Sequence, residues 1–403
     1  MKILHLISQR PDSTGSGIYL QAIMKHAARA GHENFLLAGI QQGQRPKLQG
    51  VSEANCTYLL FESTDNPSML IGMSDVMPYP TRTFRNLSCD EIEAYSKRFS
   101  SHLIATVQRY QPQLIHSHHL WVLTSLVKQL FPHIAVVASC HGSDLRQYEQ
   151  CPHLRYQVGS GCQLLDAILT LSSEQKSQVV KQYHIPAEKI FVTGGGYDEA
   201  IFYDDSLPVN SKQTIIIYAG KLSRAKGLPW LLKALIGLSH DSFHLHLVGG
   251  GSGDEYDSCL KEAEHLKNKV TVHGIVSQQR LANLMRQSDV FVLPSLHEGL
   301  PLVVLEALAC GCQVIATDLP GTRDIQQRLS CDNLVLIDKP LVSDIDATEL
   351  EDERRFIEDL KVAITSRISE QSRTSKNRIN LAYYSWPEVF QRIEKIWLES
   401  IDR

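Results

Sequence analysis

Short apolar segments of strand length alternate along this chain with segments whose apolar residues follow helical spacing. The predicted strands include Lys2–Ser8, Asn34–Ile40 and Gln113–Ser117 early in the chain, and Thr214–Lys221 and Val290–Leu293 later. Near-continuous apolar strands joined by helices are typical of parallel sheets covered on both faces. We therefore predict an α/β protein. The less regular residues 41–98 are interpreted as loops, with a helix beginning near residue 89.

The length and the distribution of charge both favour two domains. The chain has 403 residues, and a domain typically takes roughly 150–200. Residues 1–196 carry 17 basic and 14 acidic residues, whereas residues 197–403 carry 23 and 30. Such a shift in composition indicates two domains with different roles. The turn-rich segment Gly194–Gln213 is the predicted connector.

Several classes of protein are excluded by composition. The net charge of −4 gives no general footprint for a polyanion, which argues against nucleic acid as a partner. No apolar run reaches the ~18–20 residues of a membrane helix, and the apolar start of the chain is too short for a signal peptide. Nine cysteines without a Cys-x-x-Cys pair indicate reduced thiols. We expect a cytoplasmic protein.

In open parallel sheets, ligands bind beyond the carboxyl ends of the strands, so the residues that follow strands are the first candidates for a binding site. Gly15 and Gly17 lie between the first strand and the first helix, where backbone N–H groups can approach an anion or a sugar. A dinucleotide fingerprint is incomplete, because its third glycine is replaced by Leu20 and the next strand ends without an acidic residue. A ligand loop and a purely structural turn both remain open.

A compact basic turn follows the first strand of the second half. Lys221, Arg224 and Lys226 fall within six residues, before a helix. Three cations at this position suit a diphosphate, whose charge they would neutralise as it leaves. The alternative is a solvated basic turn.

Two glutamates flank a Gly-Leu-Pro turn. Pro301 fits the first position of a helix and Gly311 the residue past its end. Glu298 then lies at the helix N-terminus, where N–H groups face any bound phosphate. Glu306 lies within an apolar helix, where a carboxylate needs hydrogen-bond donors such as sugar hydroxyls. The alternative for each is a glutamate satisfied by the protein itself.

Histidines follow two strands of the first half. His116 and His118 would share one face of an extended segment, which makes a metal site conceivable, but no carboxylate or cysteine has ligand spacing. His141 precedes a glycine at a strand end and is interpreted as a polar group directed towards a ligand, with a core histidine as the alternative. The Asp344-Ile345-Asp346 segment is interpreted as a solvated loop. No metal site is therefore predicted.

These motifs resemble those of the retaining glycosyltransferases of family 4 over nearly the whole chain. The most specific element is Glu-x7-Glu, from Glu298 to Glu306, and the segments at 219–227 and 194–202 match as well. The resemblance implies the GT-B fold, in which two Rossmann-like parallel-sheet domains face each other across a cleft. It implies an acceptor-side domain at 1–200, a donor domain at 201–383 and a terminal helix at 384–403 that crosses back to the first domain.

The resemblance also implies roles for individual residues on the donor side. Lys226 matches the lysine on the donor diphosphate, and Lys221 stands where the family usually has arginine, which keeps the charge without the bidentate fork. Glu306 matches the glutamate on the nucleotide ribose. Glu298 matches the glutamate near the sugar hydroxyls, with backbone N–H groups from Gly299 and Leu300.

Further positions follow from the same comparison. His141 matches the histidine beside the reacting sugar, and Gly15 and Gly17 stand in for two glycines that are often adjacent. Ile275 falls where the base is usually held, and Arg224 is a further candidate for the departing charge. Candidate acceptor-side residues are Asp12, His118, His119, Trp121 and Asp144.

The predicted reaction moves a sugar from a nucleoside diphosphate sugar to a glycan, lipid or small-molecule acceptor, with retention and without a metal or other cofactor. Such a reaction belongs to polysaccharide or glycoconjugate biosynthesis. One alternative is a non-catalytic binder of sugar nucleotides on the same fold. Another is a different GT-B enzyme, such as a sugar-nucleotide epimerase or a phosphorylase.

A peripheral membrane contact is a further possibility at the inner face of the membrane. Basic residues and apolar residues alternate within 82–109 and could dock on anionic headgroups. A solvated helix face is the alternative.

Overall fold

The chain forms two compact units. The computed structural model describes residues 1–62, 69–74, 77–205, 213–238, 243–344, 347–348, 350–369 and 379–402. Unit 1 consists of Met1–Gly196 with Trp386–Arg403, and unit 2 consists of Tyr197–Ser385. These divisions lie close to the sequence boundaries after residues 200 and 383. The last helix therefore belongs to the same unit as the first strand.

The strands of unit 1 are β1 (Lys2–Ile7), β2 (Glu33–Gln41), β3 (Cys56–Phe61), β4 (Ile71–Gly72), β5 (Arg82–Thr83), β6 (Leu114–His118), β7 (Ala135–Ser139), β8 (Ala167–Thr170) and β9 (Ile190–Val192). Seven of them form one parallel sheet in the order β3-β2-β1-β6-β7-β8-β9, and β4 pairs with β5. The order changes direction between β1 and β6. That switch point is where parallel sheets bind ligands.

The helices of unit 1 are α1 (Gly15–Arg29), α2 (Cys89–Tyr110), α3 (Val122–Leu130), α4 (Ser143–Gln150), α5 (Arg155–Cys162) and α6 (Ser173–Tyr183), and the last helix of the chain, Trp386–Ile401, completes the unit. The predicted helix near residue 89 is present. It begins where Ser88 and Glu91 form a reciprocal capping box, which satisfies two N–H groups of the first turn.

The strands of unit 2 are β10 (Thr214–Ala219), β11 (Phe243–Val248), β12 (Val270–Gly274), β13 (Val290–Leu293), β14 (Gln313–Thr317), β15 (Leu334–Ile337), β16 (Val342–Asp344) and β17 (Ala347–Thr348). Six of them form a parallel sheet in the order β12-β11-β10-β13-β14-β15. Here the order changes direction between β10 and β13. The loops after these two strands carry the predicted basic turn and the first glutamate.

The helices of unit 2 are α7 (Leu228–Ile236), α8 (Asp254–Glu264), α9 (Gln278–Arg286), α10 (Leu302–Ala309), α11 (Pro320–Leu329) and α12 (Leu350–Ser369), and Trp386–Ile401 of unit 1 is α13. Each α/β unit thus alternates strand and helix, as the periodicity predicts. Buried Leu, Ile, Val and aromatic side chains from both elements form the cores.

Residues 41–98 differ from the prediction. Cys56–Phe61 forms β3, an edge strand of the main sheet, rather than a loop. The alternation of buried and exposed side chains is weak there, because three of the six residues are only partly buried. An edge strand has one paired side and a mixed environment, so its periodicity gives little warning.

Candidate functional site

The basic turn of unit 2 is held against the loop that follows β13. Gly227 has φ of +75°, and a Cβ atom there would lie 1.9 Å from the carbonyl oxygen of Pro294. Only glycine allows this close approach without strain. The backbone N–H of Leu296 donates to the carbonyl of Ala225 at 2.9 Å. The basic turn and the loop after β13 are therefore held together by backbone contacts.

This packing brings two predicted site residues into contact. Lys226 Nζ donates to Glu298 Oε1 at 2.7 Å. Their side chains are 31% and 14% exposed, so both remain within reach of a ligand. Like other partly exposed pairs, this one contributes little to folding stability. Its value lies in holding a cation and a carboxylate side by side.

The side chain of Arg224, a further predicted donor-side cation, already has partners within unit 2. Its guanidinium pairs with Glu353 of α12 and lies over the ring of Trp230, 4.9 Å from the ring centroid. Its backbone N–H also donates to Glu255. These contacts fix Arg224 as a link between the turn and the helices of unit 2. Lys221 and Lys226 remain as the candidate cations for a diphosphate.

Glu306 lies on α10, whose ends differ slightly from the prediction. Pro301 is the residue before the helix rather than its first residue, and Gly311 follows the end with φ of +81°. Burial raises the pKa of Glu306 to about 7. Within the described part of the chain, no hydrogen-bond donor contacts its carboxylate. A poorly solvated carboxylate of this kind suits hydroxyl groups supplied by a ligand.

The turn between the two glutamates is closely packed. A Cβ atom on Gly321, at the start of α11, would lie 2.0 Å from the carbonyl oxygen of Gly299. The Leu300 side chain is 8% exposed and is thus part of the core. The Leu300 side chain is thus not exposed to a ligand, and recognition by the backbone N–H groups of Gly299 and Leu300 stays a prediction.

Ile275 lies at the end of β12 beside a glycine-rich loop. Its side chain is 86% exposed. Gly249 of that loop has φ of +136° and approaches Gly220 so closely that a Cβ atom would lie 1.8 Å from its carbonyl oxygen. An exposed apolar side chain beside packed backbone offers a flat contact for a planar ring. The predicted base-binding role of Ile275 is compatible with this position and stays a prediction.

In unit 1 the two glycines of the first loop differ. A Cβ atom on Gly17 would lie 2.5 Å from the carbonyl oxygen of Pro11, whereas one on Gly15 has open space. The Gly17 N–H donates to the capping hydroxyl of Thr14 at 3.2 Å. Gly17 is therefore required by the fold, and Gly15 is the one that leaves room for a ligand.

Asp12 is held by its neighbour Arg10, with two hydrogen bonds of 3.1 and 2.9 Å. Burial acts to raise the pKa of Asp12, but hydrogen bonds from Arg10 and Ser13 outweigh it and the pKa is lowered. Asp12 thus remains ionised, with its charge balanced by Arg10.

The predicted histidines lie at or just after the ends of β6 and β7. His141 Nε2 lies 3.1 Å from His118 Nδ1, and the two rings are stacked. Burial lowers the pKa of His141 to about 3 and that of His119 to about 3 as well. These rings are therefore neutral near pH 7. His141 is partly exposed, which favours it for contact with a ligand. His118 and His119 are only 1% and 2% exposed and are not available to an acceptor, which corrects the prediction for both.

Two candidate acceptor-side residues are structural in this fold. Asp144 is fully buried and accepts backbone N–H bonds from Leu120 at 2.9 Å and from His141 at 3.2 Å. It holds the loops after β6 and β7 together. Trp121 is 2% exposed and packs edge-on against Phe84 in the core. Neither side chain is available to an acceptor, which corrects the prediction for both.

The membrane prediction is also corrected by burial. The apolar residues of its patch, Phe84, Tyr95, Phe99 and Leu103, all belong to the core of unit 1. Arg82 of the same stretch pairs with Glu91 at 2.7 Å. The patch therefore lacks the apolar half that a membrane contact requires. Across the described ranges, no helix combines the length and apolar character needed to cross a bilayer.

Sequence reasoning missed His5. It lies on β1 directly opposite His116 of β6, and the rings of His116 and His118 are stacked 4.6 Å apart. The three side chains are buried together. The absence of a metal site was predicted from His116 and His118 alone, and only the strand pairing reveals the third imidazole. Ile345 and Asp346 of the acidic segment lie outside the described residues.

Comparison with known proteins defines the class of this fold. The structure aligns with that of Anabaena Alr3699/HepE in complex with UDP and glucose, with a TM-score of 0.65 and 14% identity over 99% of this chain and 100% of that one. The two parallel sheets are those of the GT-B glycosyltransferase fold.

Family models identify the chain more closely. Residues 13–200 match the model for Glycosyltransferase Family 4, and residues 200–351 match that for Glycosyl transferases group 1. The chain belongs to the family 4 glycosyltransferases. The family predicted from the sequence is thus confirmed, while retention and the roles of the Glu-x7-Glu residues stay predictions.

Two curated relatives show the range of similarity. The D-inositol 3-phosphate glycosyltransferase of Xylanimonas cellulosilytica is 30% identical over 181 residues, which are 40% of this chain and 42% of that protein. The N-acetyl-alpha-D-glucosaminyl L-malate synthase of Bacillus anthracis is 22% identical over 81% of this chain and 82% of that protein. With several of the curated relatives the match spans less than half of their length.

Proposed function

We propose that this protein is a retaining glycosyltransferase that takes its sugar from a nucleoside diphosphate sugar. The observation that carries the proposal is the arrangement in unit 2, where Lys226 and Glu298 are paired and Glu306 lies nearby in sequence with a carboxylate that has no donor in the described structure. In a bound donor, the diphosphate would contact Lys226, the hexose would contact Glu298 and the ribose would contact Glu306. The family membership of the chain supports the same assignment.

The donor diphosphate is assigned to Lys226 and Lys221. As the bond from the anomeric carbon to the diphosphate breaks, negative charge develops on the leaving oxygen. Two cations and the N–H groups that begin α10 favour that charge without a metal ion. Glu298 would then exchange its contact with Lys226 for hydroxyl groups of the sugar, and Glu306 would accept from the ribose hydroxyls.

Retention is assigned to attack on the face from which the diphosphate leaves. The acceptor oxygen bonds to the anomeric carbon, and its proton passes to an oxygen of the departing diphosphate. No carboxylate is assigned as a covalent nucleophile, because Glu298 is used in sugar recognition. We assign acceptor binding to unit 1, with Asp12 as the remaining candidate, and His141 to the contact beside the reacting sugar.

UDP is the first base to test, because the solved structure of Anabaena HepE contains it. A thermal-shift screen against UDP, GDP, ADP and dTDP, alone and as their common sugars, identifies the donor because a tight ligand raises the apparent stability. The expected result is a shift for one nucleotide and a larger one for its sugar. No shift with any of them contradicts the donor assignment.

Product analysis then separates catalysis from binding alone. Incubation of the identified donor with a panel of glycans, lipids and small molecules is followed by NMR of the new anomeric proton. Retention appears as the same anomeric configuration in donor and product. A bound donor that is never turned over would favour a non-catalytic binder, and a product formed without an acceptor would favour an epimerase.

A further inference from the structure

Three imidazoles lie together in the centre of unit 1, apart from the residues assigned to the donor. His5 on β1 and His116 and His118 on β6 are 0%, 0% and 1% exposed. His5 pairs with His116 across the two strands, and His118 lies two residues further along β6, so all three side chains share one face of the sheet. One ring nitrogen from each lies within 4.8 Å of one from each of the others.

The second nitrogen of each ring has a partner. His5 Nε2 lies 3.1 Å from Asn34 Oδ1, His116 Nε2 lies 2.8 Å from Ser139 Oγ, and His118 Nδ1 lies 3.1 Å from His141 Nε2. Each histidine is thus oriented by a neighbouring polar group. Metal-binding histidines are oriented in the same way, by a hydrogen bond on the nitrogen that does not bind the metal.

The remaining nitrogens are buried and have no partner among the described residues. They are Nδ1 of His5, Nδ1 of His116 and Nε2 of His118. A buried polar atom without a partner costs about 1–3 kcal/mol, and folded proteins rarely leave three of them together. An occupant that accepts electron pairs or donates protons would satisfy all three nitrogens.

The tautomer of His5 is fixed by the structure. Asn34 Nδ2 donates to the carbonyls of Met24 at 2.8 Å and Gly50 at 2.7 Å, which leaves Oδ1 as the acceptor. His5 Nε2 must then carry the hydrogen, and in the neutral ring Nδ1 presents a lone pair. A neutral ring with a free lone pair is the form of histidine that binds a metal ion.

We propose that unit 1 binds one transition-metal ion of the Zn²⁺ class through the unpartnered ring nitrogens of His5, His116 and His118. Imidazole ligands suit zinc and its neighbours, whereas Mg²⁺ and Ca²⁺ prefer oxygen. Three histidines and a water molecule make a complete tetrahedral set. Trp397 of α13 lies edge-on to His116 and carries a buried indole N–H without a partner among the described residues, which is available to that water.

The ion would be structural in its effect. Asn34, His5, His116 and Ser139 lie on β2, β1, β6 and β7, which are four adjacent strands of the sheet. A metal at their centre links β1 to β6 directly and the outer two through hydrogen bonds. It also fixes His118 with its hydrogen on Nδ1, which then donates to His141 Nε2.

The test uses the full chain, stripped with a chelator and titrated with Zn²⁺ in competition with a chromophoric chelator. We expect one equivalent to bind and the apparent melting temperature to rise with it. X-ray absorption of the zinc-loaded wild-type chain should show imidazole nitrogens at about 2.0–2.1 Å. This measurement needs no variant and no sugar donor, so it is independent of the proposed transferase activity.

Variants then assign the site. His5→Gln should weaken Zn²⁺ binding at least about 100-fold, and Ser139→Ala, which removes only an orienting hydroxyl, by about 10-fold. The matched control is His273→Gln, because His273 and His246 form a second histidine pair 3.0 Å apart in unit 2. Zinc binding that survives His5→Gln, or is lost in His273→Gln, overturns the assignment. So does a chain that takes up no zinc, in which case buried water satisfies the nitrogens.

Discussion

Lys226 Nζ donates a hydrogen bond to Glu298 Oε1 across 2.7 Å, although the two residues lie 72 positions apart in the chain. The contact exists because Gly227 allows the basic turn to pack against the backbone of Pro294. A cation assigned to the diphosphate and a carboxylate assigned to the sugar are thus neighbours before any ligand arrives. This proximity makes their separate roles measurable.

Replacing Lys226 with Gln should weaken binding of the nucleoside diphosphate by about 10- to 100-fold. A hydrogen bond to a charged group contributes about 1.5–3 kcal/mol, which corresponds to that range. Isothermal titration calorimetry measures it. The control is Lys233→Gln, an exposed lysine of α7 in the same unit, which should leave the affinity unchanged. Equal affinity in wild type and Lys226→Gln would refute the assignment of this lysine.

Replacing Glu298 with Gln should separate the sugar from the nucleotide. We expect the variant to bind the nucleotide sugar about 10-fold or more weakly than wild type, because hydroxyl donors lose a charged acceptor. Binding of the nucleoside diphosphate alone should be unchanged or stronger, since Lys226 is released from its partner. A loss of equal size for both ligands would show that Glu298 does not contact the sugar.

Nucleotide binding should release a proton from Glu306. Burial raises the pKa of Glu306 to about 7, so near pH 7 a large fraction of the free protein carries a protonated carboxyl. Ribose hydroxyls that donate to the carboxylate favour its charged form and lower its pKa. Calorimetry in buffers of different ionisation enthalpy should therefore detect up to one proton released per ligand at pH 6–7. In Glu306→Gln this release should be absent, and its persistence there would place the proton elsewhere.

The same glutamate should make stability depend on pH. Its pKa in the folded chain is above the unfolded value, so between about pH 4.5 and 7 the folded state binds more protons and stability falls as pH rises. Glu306→Gln removes this term. From pH 4.5 to pH 8, we expect the unfolding free energy of the variant to increase relative to that of wild type by on the order of 2 kcal/mol. Urea unfolding of both proteins at both pH values measures this change. The same pH dependence of stability in wild type and variant would show that the carboxyl is not desolvated.

The two glycines of the first loop should respond oppositely to alanine. Gly17→Ala should destabilise unit 1 by about 1–3 kcal/mol, because the new Cβ collides with the backbone of Pro11. Gly15→Ala meets no atom within 4 Å and should leave the melting temperature unchanged or slightly higher. Thermal unfolding compares them directly. A similar loss in both variants would mean that the first turn of α1 is strained throughout.

The strands and helices were largely predictable from periodicity, because most of the strands are buried on both faces and read as apolar runs. The longest strand that was not predicted, β3, lies at the edge of the sheet and pairs with a neighbouring strand on one side alone. Its sequence carries no signal strong enough to distinguish it from a loop.

The sequence was enough to predict which residues belong to the site, but not which residues they contact. Lys226 and Glu298 lie in loops that follow strands and Glu306 lies in the next helix, and all three positions are visible in the sequence. The engagement of Arg224 by Glu353 is not, since it depends on where α12 packs. Burial of Trp121 and Asp144, and the meeting of His5 with His116, likewise depend on strand order and register, which local sequence does not encode.

The return of α13 to unit 1 has a consequence for synthesis on the ribosome. Trp397, Phe390 and Ile393 of this helix belong to the core that packs on β1 and α1, yet all of unit 2 is translated before them. In the nascent chain, the part of this sheet face that α13 covers therefore stays exposed beside α1 while the second unit is synthesised. Unit 2 is continuous in sequence and can complete its folding first. The amino-terminal unit is the one for which we expect chaperones to shield exposed apolar surface during synthesis.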